Sequence, residues 1–410
     1  MVLFAPLYIS DYCVNNCTYC GYRRDNKFPR RNLTKGEIIL EVKELEKLGH
    51  KRLALEVGED PVNCDFDYVL NAIDWIYEAG DIRRINVNVA ATTVENYKKL
   101  VEKEIGTYIL FQETYDPDEY EKYHPKSLKG DYKRQLYAHH RAMEAGIEDV
   151  GGGVLYGLSD CRFDTLAMIL HNRNLELECG VGFHIVSVPR IQKAEGMEVE
   201  DFKHLIDDKT FQKIVAILRI AIPYTGIILS TRENIEMRDK LISSGVSQIS
   251  AGSQTGVGSY KDESEDEHVQ FSLCDERTPL EVIKDLVRSG YLPSYCTACY
   301  RMGRTGDHFM EIVRAGKIGD ICAPNALLTF VEYIRDFGDD ELKTLATPVI
   351  KSEIDAITNP GLRKKLWIIS IRLMMVHQIY TFKEWNETIK ILNTTCNISW
   401  KCKQWKEYNF

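Results

Sequence analysis

Apolar residues recur along the first 255 positions in two alternating rhythms. Short runs rich in β-branched and aliphatic residues at 2–9, 52–58, 84–90, 108–113, 150–156, 181–188, 226–230 and 248–251 read as strands. Between them, near 35–48, 66–78, 94–102, 132–145, 163–177, 210–222 and 235–244, apolar residues fall at helical spacing. In the first of these stretches Ile38, Ile39, Val42, Leu45 and Leu48 share one face. Run 84–90 alternates, with Ile85, Val87 and Val89 on one side and Asn86 and Asn88 on the other. In a closed sheet, amide side chains turned inward mark an interior that holds a ligand rather than packed hydrocarbon.

Eight strand–helix repeats of about 30 residues predict an α/β fold, a (β/α)8 TIM-type barrel over residues 1–260, with functional residues at the C-terminal ends of the strands. That rule selects the 13–20 loop, the Gly58-Glu59-Asp60 turn, Glu113, Tyr156, 184–190, 230–232 and 250–253. A polar, acidic stretch at 261–266 (KDESED) reads as a linker to a smaller, mainly helical C-terminal domain at 261–345. Residues 346–410 form a helical tail, apolar through 367–380 apart mainly from Arg372 and His377.

With 44% hydrophobic and 28% charged residues the chain has the composition of an ordinary globular protein, and its net charge of −9 offers no general attraction to nucleic acid or an anionic membrane. The twelve cysteines change the picture. Neither a secretion signal nor a run of apolar residues long enough to span a bilayer is evident, so we expect a reducing cytoplasm, where clustered thiols serve as metal ligands or catalysts.

Two groups stand out. Cys13, Cys17 and Cys20 occupy one short loop after the first strand, and Cys296, Cys299 and Cys322 form a second set past the barrel. Iron–sulfur clusters usually take four cysteines, so three leave one iron open to an outside ligand. Zinc is the alternative at both places, with His308 as a fourth ligand at the second. Cys396 and Cys402 read as incidental thiols.

The pattern Cys13-x3-Cys17-x-Tyr19-Cys20 after strand one resembles the radical S-adenosylmethionine superfamily, and Gly58-Glu59-Asp60 stands where that superfamily contacts the methionine amino group. Together with the second triad, the stretches VLFAPLYISDYC (2–13), QETY (112–115), VSVPR (186–190), LSTRE (229–233) and GVSQISAGS (245–253) resemble the aromatic amino-acid lyases, in particular the tyrosine lyases of FeFe-hydrogenase maturation. The resemblance covers about residues 1–345. It departs in having only a dozen residues before Cys13, where the family carries a helical extension, in Gly151-Gly152-Gly153 and Phe183, which are unusual at their positions, and in the tail.

The resemblance implies two 4Fe-4S clusters, S-adenosylmethionine, and a labile fifth iron at the second cluster. Cys13, Cys17 and Cys20 would hold the cluster that cleaves S-adenosylmethionine to a 5′-deoxyadenosyl radical. That radical would start cleavage of L-tyrosine to p-cresol and dehydroglycine, and dehydroglycine would give carbon monoxide and cyanide at the Cys296, Cys299 and Cys322 cluster. Tyr19, Gly58, Glu59, Asp60, Glu113 and Arg190 are the expected cofactor contacts. Arg232 is the expected cation for the tyrosine carboxylate, against an ion pair with Glu233. His184, expected mid-strand, is a candidate ligand of the labile iron, against a satisfied core histidine. Expected partners are hydrogenase maturation proteins and a low-potential electron donor, with no nucleic acid and no membrane. Two other readings remain open: a 2-iminoacetate synthase of thiamine biosynthesis, and a noncatalytic iron–sulfur carrier.

Overall fold

The computed structural model describes residues 1–261 and 268–375. Cys396, Cys402, most of the 261–266 linker and the tail beyond 375 lie outside the described residues. Eight parallel strands close into a barrel in sequence order: β1 (Val2–Ser10), β2 (Arg52–Val57), β3 (Arg84–Asn88), β4 (Tyr108–Ile109), β5 (Val150–Gly153), β6 (Ile185–Ser187), β7 (Gly226–Leu229) and β8 (Gln248–Ser250). Pairing of β1 with β8, Val2 opposite Gln248 and Phe4 opposite Ser250, completes the ring. The period-two alternation sets the two faces. Leu3, Ala5, Leu7 and Ile9 are buried in the main core outside the sheet, and so are Ile85 and Val87 of β3 and Val89 just past it. Phe4, Ala54, Ile109, Ile185 and Ile228 form a separate cluster, with Phe111 packed on it.

All the expected strands but the first are shorter than their apolar runs, most of all β4 and β6. Beyond Ile109 the run continues, but Glu113 sits at φ +68°, a left-handed conformation that breaks the pleat, and keeps only an isolated bridge to Val154. In β6 the ladder begins at Ile185. The stretch expected as one helix at 132–145 is two, Tyr132–Leu136 and Ala138–Glu144, joined at Tyr137. Helix Pro117–Tyr123, which the apolar rhythm did not show, starts from Asp116, whose carboxylate accepts the amides of Asp118 and Glu119, with Pro117 in the first turn.

The Gly151-Gly152-Gly153 run is explained by its neighbours. A Cβ on Gly151 would lie 2.7 Å from Ile185, one on Gly152 2.7 Å from Phe183, and one on Gly153 2.6 Å from Phe111. The bulk missing from β5 is supplied from the segment after β4, from β6 and from the turn before β6, and Phe183 is fully buried there.

After β8 the chain first returns over the barrel top. Val269 bridges Gly256, and Tyr8 Oη donates to Gln270 Oε1 at 2.8 Å. Helix Pro279–Arg288 follows, so the helix after β8 lies beyond the boundary expected at 260. The chain then passes under the barrel: the Met1 amino group donates to Leu292 O at 2.7 Å, and Leu3 N to Ser294 O at 3.1 Å. Helices Gly306–Arg314, Ile318–Phe337, Asp340–Ala356 and Pro360–Met375 complete the described chain. Among the described residues no helix is long and apolar enough to cross a membrane.

Candidate active site

The first cysteine loop leaves β1 at the C-terminal mouth of the barrel and is held by the turn ending β2. Gly58 N donates to Ser10 O at 3.2 Å, and Val14 N to Glu59 O at 2.8 Å. The approach is so close that a Cβ on Gly58 would lie 2.2 Å from Tyr12 O and 3.2 Å from Cys13 Cβ, which makes glycine a steric requirement. Glu59 accepts from Asn15 Nδ2 at 2.6 Å and from Arg134 Nη2 at 3.0 Å. Asp60 turns the other way, its two oxygens accepting the amides of Val62 and Asn63 and the Asn63 side chain, all at 2.9 Å.

Burial raises the thiol pKa of Cys13 and Cys17 and pushes Cys20 up to about 11. Backbone amides of Asn15 and Glu59 aim at the Cys13 sulfur and that of Tyr22 at Cys20, the donors a cluster thiolate needs. Among the described residues no three His, Cys, Asp or Glu side chains converge as ligands of one metal ion, and His308 is exposed. A cubane binds each thiolate to a different iron, and three cysteines on one loop with amide donors aimed at two of their sulfurs fit that group.

Tyr19 Oη lies 2.7 Å from His124 Nε2, and His124 Nδ1 is 2.6 Å from Tyr120 O. Because that carbonyl only accepts, Nδ1 carries the proton and Nε2 accepts from Tyr19. Glu113 pairs with Lys129 at 2.6 Å, beside the cysteine loop. Arg190 binds Glu233 through two nitrogens and Asp208 at 2.9 Å, and lies over Phe211. The residue expected at a cofactor contact is therefore spent on an ion-pair cluster in this structure.

With Glu233 taken by Arg190, the surface ion pair weighed for Arg232 is not formed. The Arg232 guanidinium lies 3.4 Å from the centre of the Phe271 ring, and among the described residues no carboxylate is within ion-pair distance of it. Below it, inside the barrel, Glu56 accepts from Asn88 Nδ2 at 2.5 Å, and burial raises the Glu56 carboxyl to about 8 despite Arg232 nearby. Asn88 is one of the two amides that the alternation of run 84–90 turned inward, whereas Tyr8, Glu56, Lys129, Asn15 and Arg134 were absent from the sequence expectations. A usable signal existed for Glu56 alone, a charge within the apolar run RLALEV.

The second triad lies at the opposite end of the barrel. Arg52 Nη1 at the start of β2 donates to Cys296 O at 2.8 Å, and Arg84 at the start of β3 stacks 3.1 Å over the Tyr300 ring. His184 precedes β6 instead of lying mid-strand, so it belongs to this end. Its Nε2 is 2.9 Å from Tyr300 Oη, its Nδ1 3.4 Å from Asp149, and its ring 5.0 Å from Phe309. Burial lowers its pKa, leaving a neutral imidazole. Cys299 is lowered to about 6 by a hydrogen bond from the Cys322 thiol and by Arg304, while the same bond raises Cys322. The Ala298 amide donates to Cys296 Sγ at 3.4 Å. Arg52, Arg84 and Arg304 thus make a cationic floor suited to thiolates and other anions.

The radical SAM superfamily model matches residues 7–168, and that of the biotin and thiamin synthesis associated domain residues 187–292. The chain is similar to a solved HydG, a maturase of the FeFe-hydrogenase, at 51% identity and TM-score 0.88, covering 93% of this chain and 84% of that one. HydG from Carboxydothermus hydrogenoformans follows at 40% identity and TM-score 0.78, covering 90% and 82%. The 2-iminoacetate synthase of Escherichia coli K12 is 31% identical over 291 residues, 71% of this chain and 76% of that protein. The chain belongs to the radical SAM superfamily and, within it, to the HydG family.

Proposed function

We propose that this protein is a two-site lyase that cleaves L-tyrosine to p-cresol and dehydroglycine at the barrel mouth and converts dehydroglycine to carbon monoxide and cyanide at the second triad, for the active site of an FeFe-hydrogenase. Membership of the superfamily implies a 4Fe-4S cluster and S-adenosylmethionine, and Cys13, Cys17 and Cys20 are the residues that would hold the cluster. When bound, the pair supplies a one-electron cleavage that delivers a carbon radical into the barrel.

The rest of the reading concerns the chain's own groups. Arg232, half-buried and with no carboxylate partner among the described residues, would take the tyrosine carboxylate through two parallel hydrogen bonds. Glu56, protonated below about pH 8, leaves that guanidinium free for the substrate. The apolar band of Phe4, Ile109, Ile185 and Ile228 separates this pocket from the cationic floor. At the floor, Cys296, Cys299 and Cys322 would hold a second cluster, with neutral His184 beside it as ligand of a labile iron.

The observation that carries the reading is the pair of three-cysteine sets at opposite ends of one barrel. Anaerobic turnover with tyrosine, S-adenosylmethionine and a low-potential reductant tests it, with p-cresol and carbon monoxide assayed together. Both should form, and Cys299→Ala should keep p-cresol while losing carbon monoxide. The 31% identity to 2-iminoacetate synthase favours a second reading, which p-cresol without carbon monoxide from the wild-type protein would establish. Formation of neither product would leave only iron–sulfur transport.

A further inference from the structure

Helix Cys161–Cys179 on the outer wall of the barrel is inside out. Its buried face carries Asp164, Thr165, His171 and Asn172 beside Met168 and Leu175. Its outward face carries Phe163, Leu166, Leu170 and Leu177, which are 48, 58, 59 and 70% exposed. The usual polarity of a surface helix is the reverse. The spacing of the exposed four, three, four and seven residues, is that of a coiled-coil seam with Arg173 in the one polar seam position. The neighbouring helix Asp208–Ala221 adds Ile217 and Ile220, and the turn after it Tyr224, at 50, 80 and 46% exposure.

We infer that this seam is the interface of a homodimer, in which helix Cys161–Cys179 packs antiparallel against its copy across a twofold axis near Leu170. Three observations favour a second copy. First, the seam is self-complementary: Phe163 and Leu177 each lie seven residues from Leu170, so a twofold there sets the Phe163 end of each helix on the Leu177 end of the other. Second, the exposed charges are compatible with that pairing: the antiparallel arrangement brings Arg162, beside Phe163, toward the exposed Glu178, beside Leu177, of the other copy. Third, the area suffices. A large side chain offers on the order of 200 Å² in full, so seven of them at these exposures present roughly 800 Å², the share one partner gives to a standard interface. The interface runs along the outer wall, with helix Gly306–Arg314 beside its far end, where Arg314 lies 3.7 Å from Glu176.

Sedimentation velocity of the full-length protein from 1 to 100 µM, under anaerobic conditions, tests this. The expected result is a reversible dimer that Leu170→Glu weakens at least tenfold, because it sets two carboxylates together at the axis. Leu128→Glu, a change at a 47% exposed leucine elsewhere, leaves the dimer unchanged and controls for added surface charge. Circular dichroism of Leu170→Glu should match wild type, since the side chain faces outward. A wild-type monomer at 100 µM, or a dimer that Leu170→Glu and Leu166→Glu both leave intact, would overturn the proposal and assign the seam to another occupant.

Discussion

Tyr300 Oη lies 2.9 Å from His184 Nε2, tying the residue that follows Cys299 to the start of β6 across 116 positions of sequence. Tyr300 also carries the Arg84 guanidinium on its ring, so one side chain joins the second cysteine set to the barrel floor. Tyr300→Phe is expected to keep p-cresol formation and lower carbon monoxide several-fold. His184→Ala should lower it at least tenfold and reduce bound iron by about one per chain. Equal loss of both products in either variant would point to a folding defect.

Glu56 gives the first site a pH dependence. Its carboxyl is raised to about 8 by burial, so it is neutral at pH 7 and ionises as the pH rises through 8. The new carboxylate competes with the substrate carboxylate for Arg232. The KM for tyrosine should therefore climb above pH 8 while kcat changes little, and Glu56→Gln should flatten the KM profile.

The clasp on the first loop predicts a sharp steric limit. Gly58→Ala sets a methyl group against a backbone carbonyl that cannot move without moving Cys13. Overpacking of this kind costs about 1–3 kcal/mol. Iron bound by a protein also lacking the second triad should fall, even where far-ultraviolet circular dichroism remains that of wild type.

The glycine strand makes a paired prediction. Gly152→Ala drives its methyl into the Phe183 ring and should destabilise the fold by about 1–3 kcal/mol. Phe183→Leu should recover part of that loss in the double variant, a non-additivity expected of side chains in contact. Denaturant midpoints of the four proteins measure it.

Acid should unfold the barrel early. His50 and His139 are fully buried and lowered to about 4 by burial, below the ordinary value near 6.5 that they regain when unfolded. The unfolded chain thus binds more protons between those limits. Stability is complete above pH 6.5 and falls as the pH drops toward 4, with a limiting slope of about 1.4 kcal/mol per pH unit for each histidine. His139→Gln should shift the acid midpoint downward.

The barrel was legible because each strand is a local run and each helix a local rhythm. The first cysteine set was legible because its three thiols share one short loop, and Cys296 and Cys299 because they lie three positions apart, whereas Cys322 reaches Cys299 from 23 positions further on. What was illegible depends on residues drawn from separate units. Arg190 and Glu233 are 43 positions apart, and nothing local marks them as partners that free Arg232. His184 was misplaced because the apolar run 181–188 hides the point where the ladder begins, and one strand position decides which end of the barrel a side chain serves. Glu113, four residues past the end of β4, takes a left-handed backbone angle that no pattern of apolar residues encodes.

β1 reaches from the bridge with Ser294, two positions before Cys296, to Ser10, three positions before Cys13. One strand therefore carries a thiol site just past each of its ends. Its register, Val2 opposite Gln248 and Phe4 opposite Ser250, sets the height of both sites at once, so a slip of β1 along its own axis would displace the mouth and the floor together.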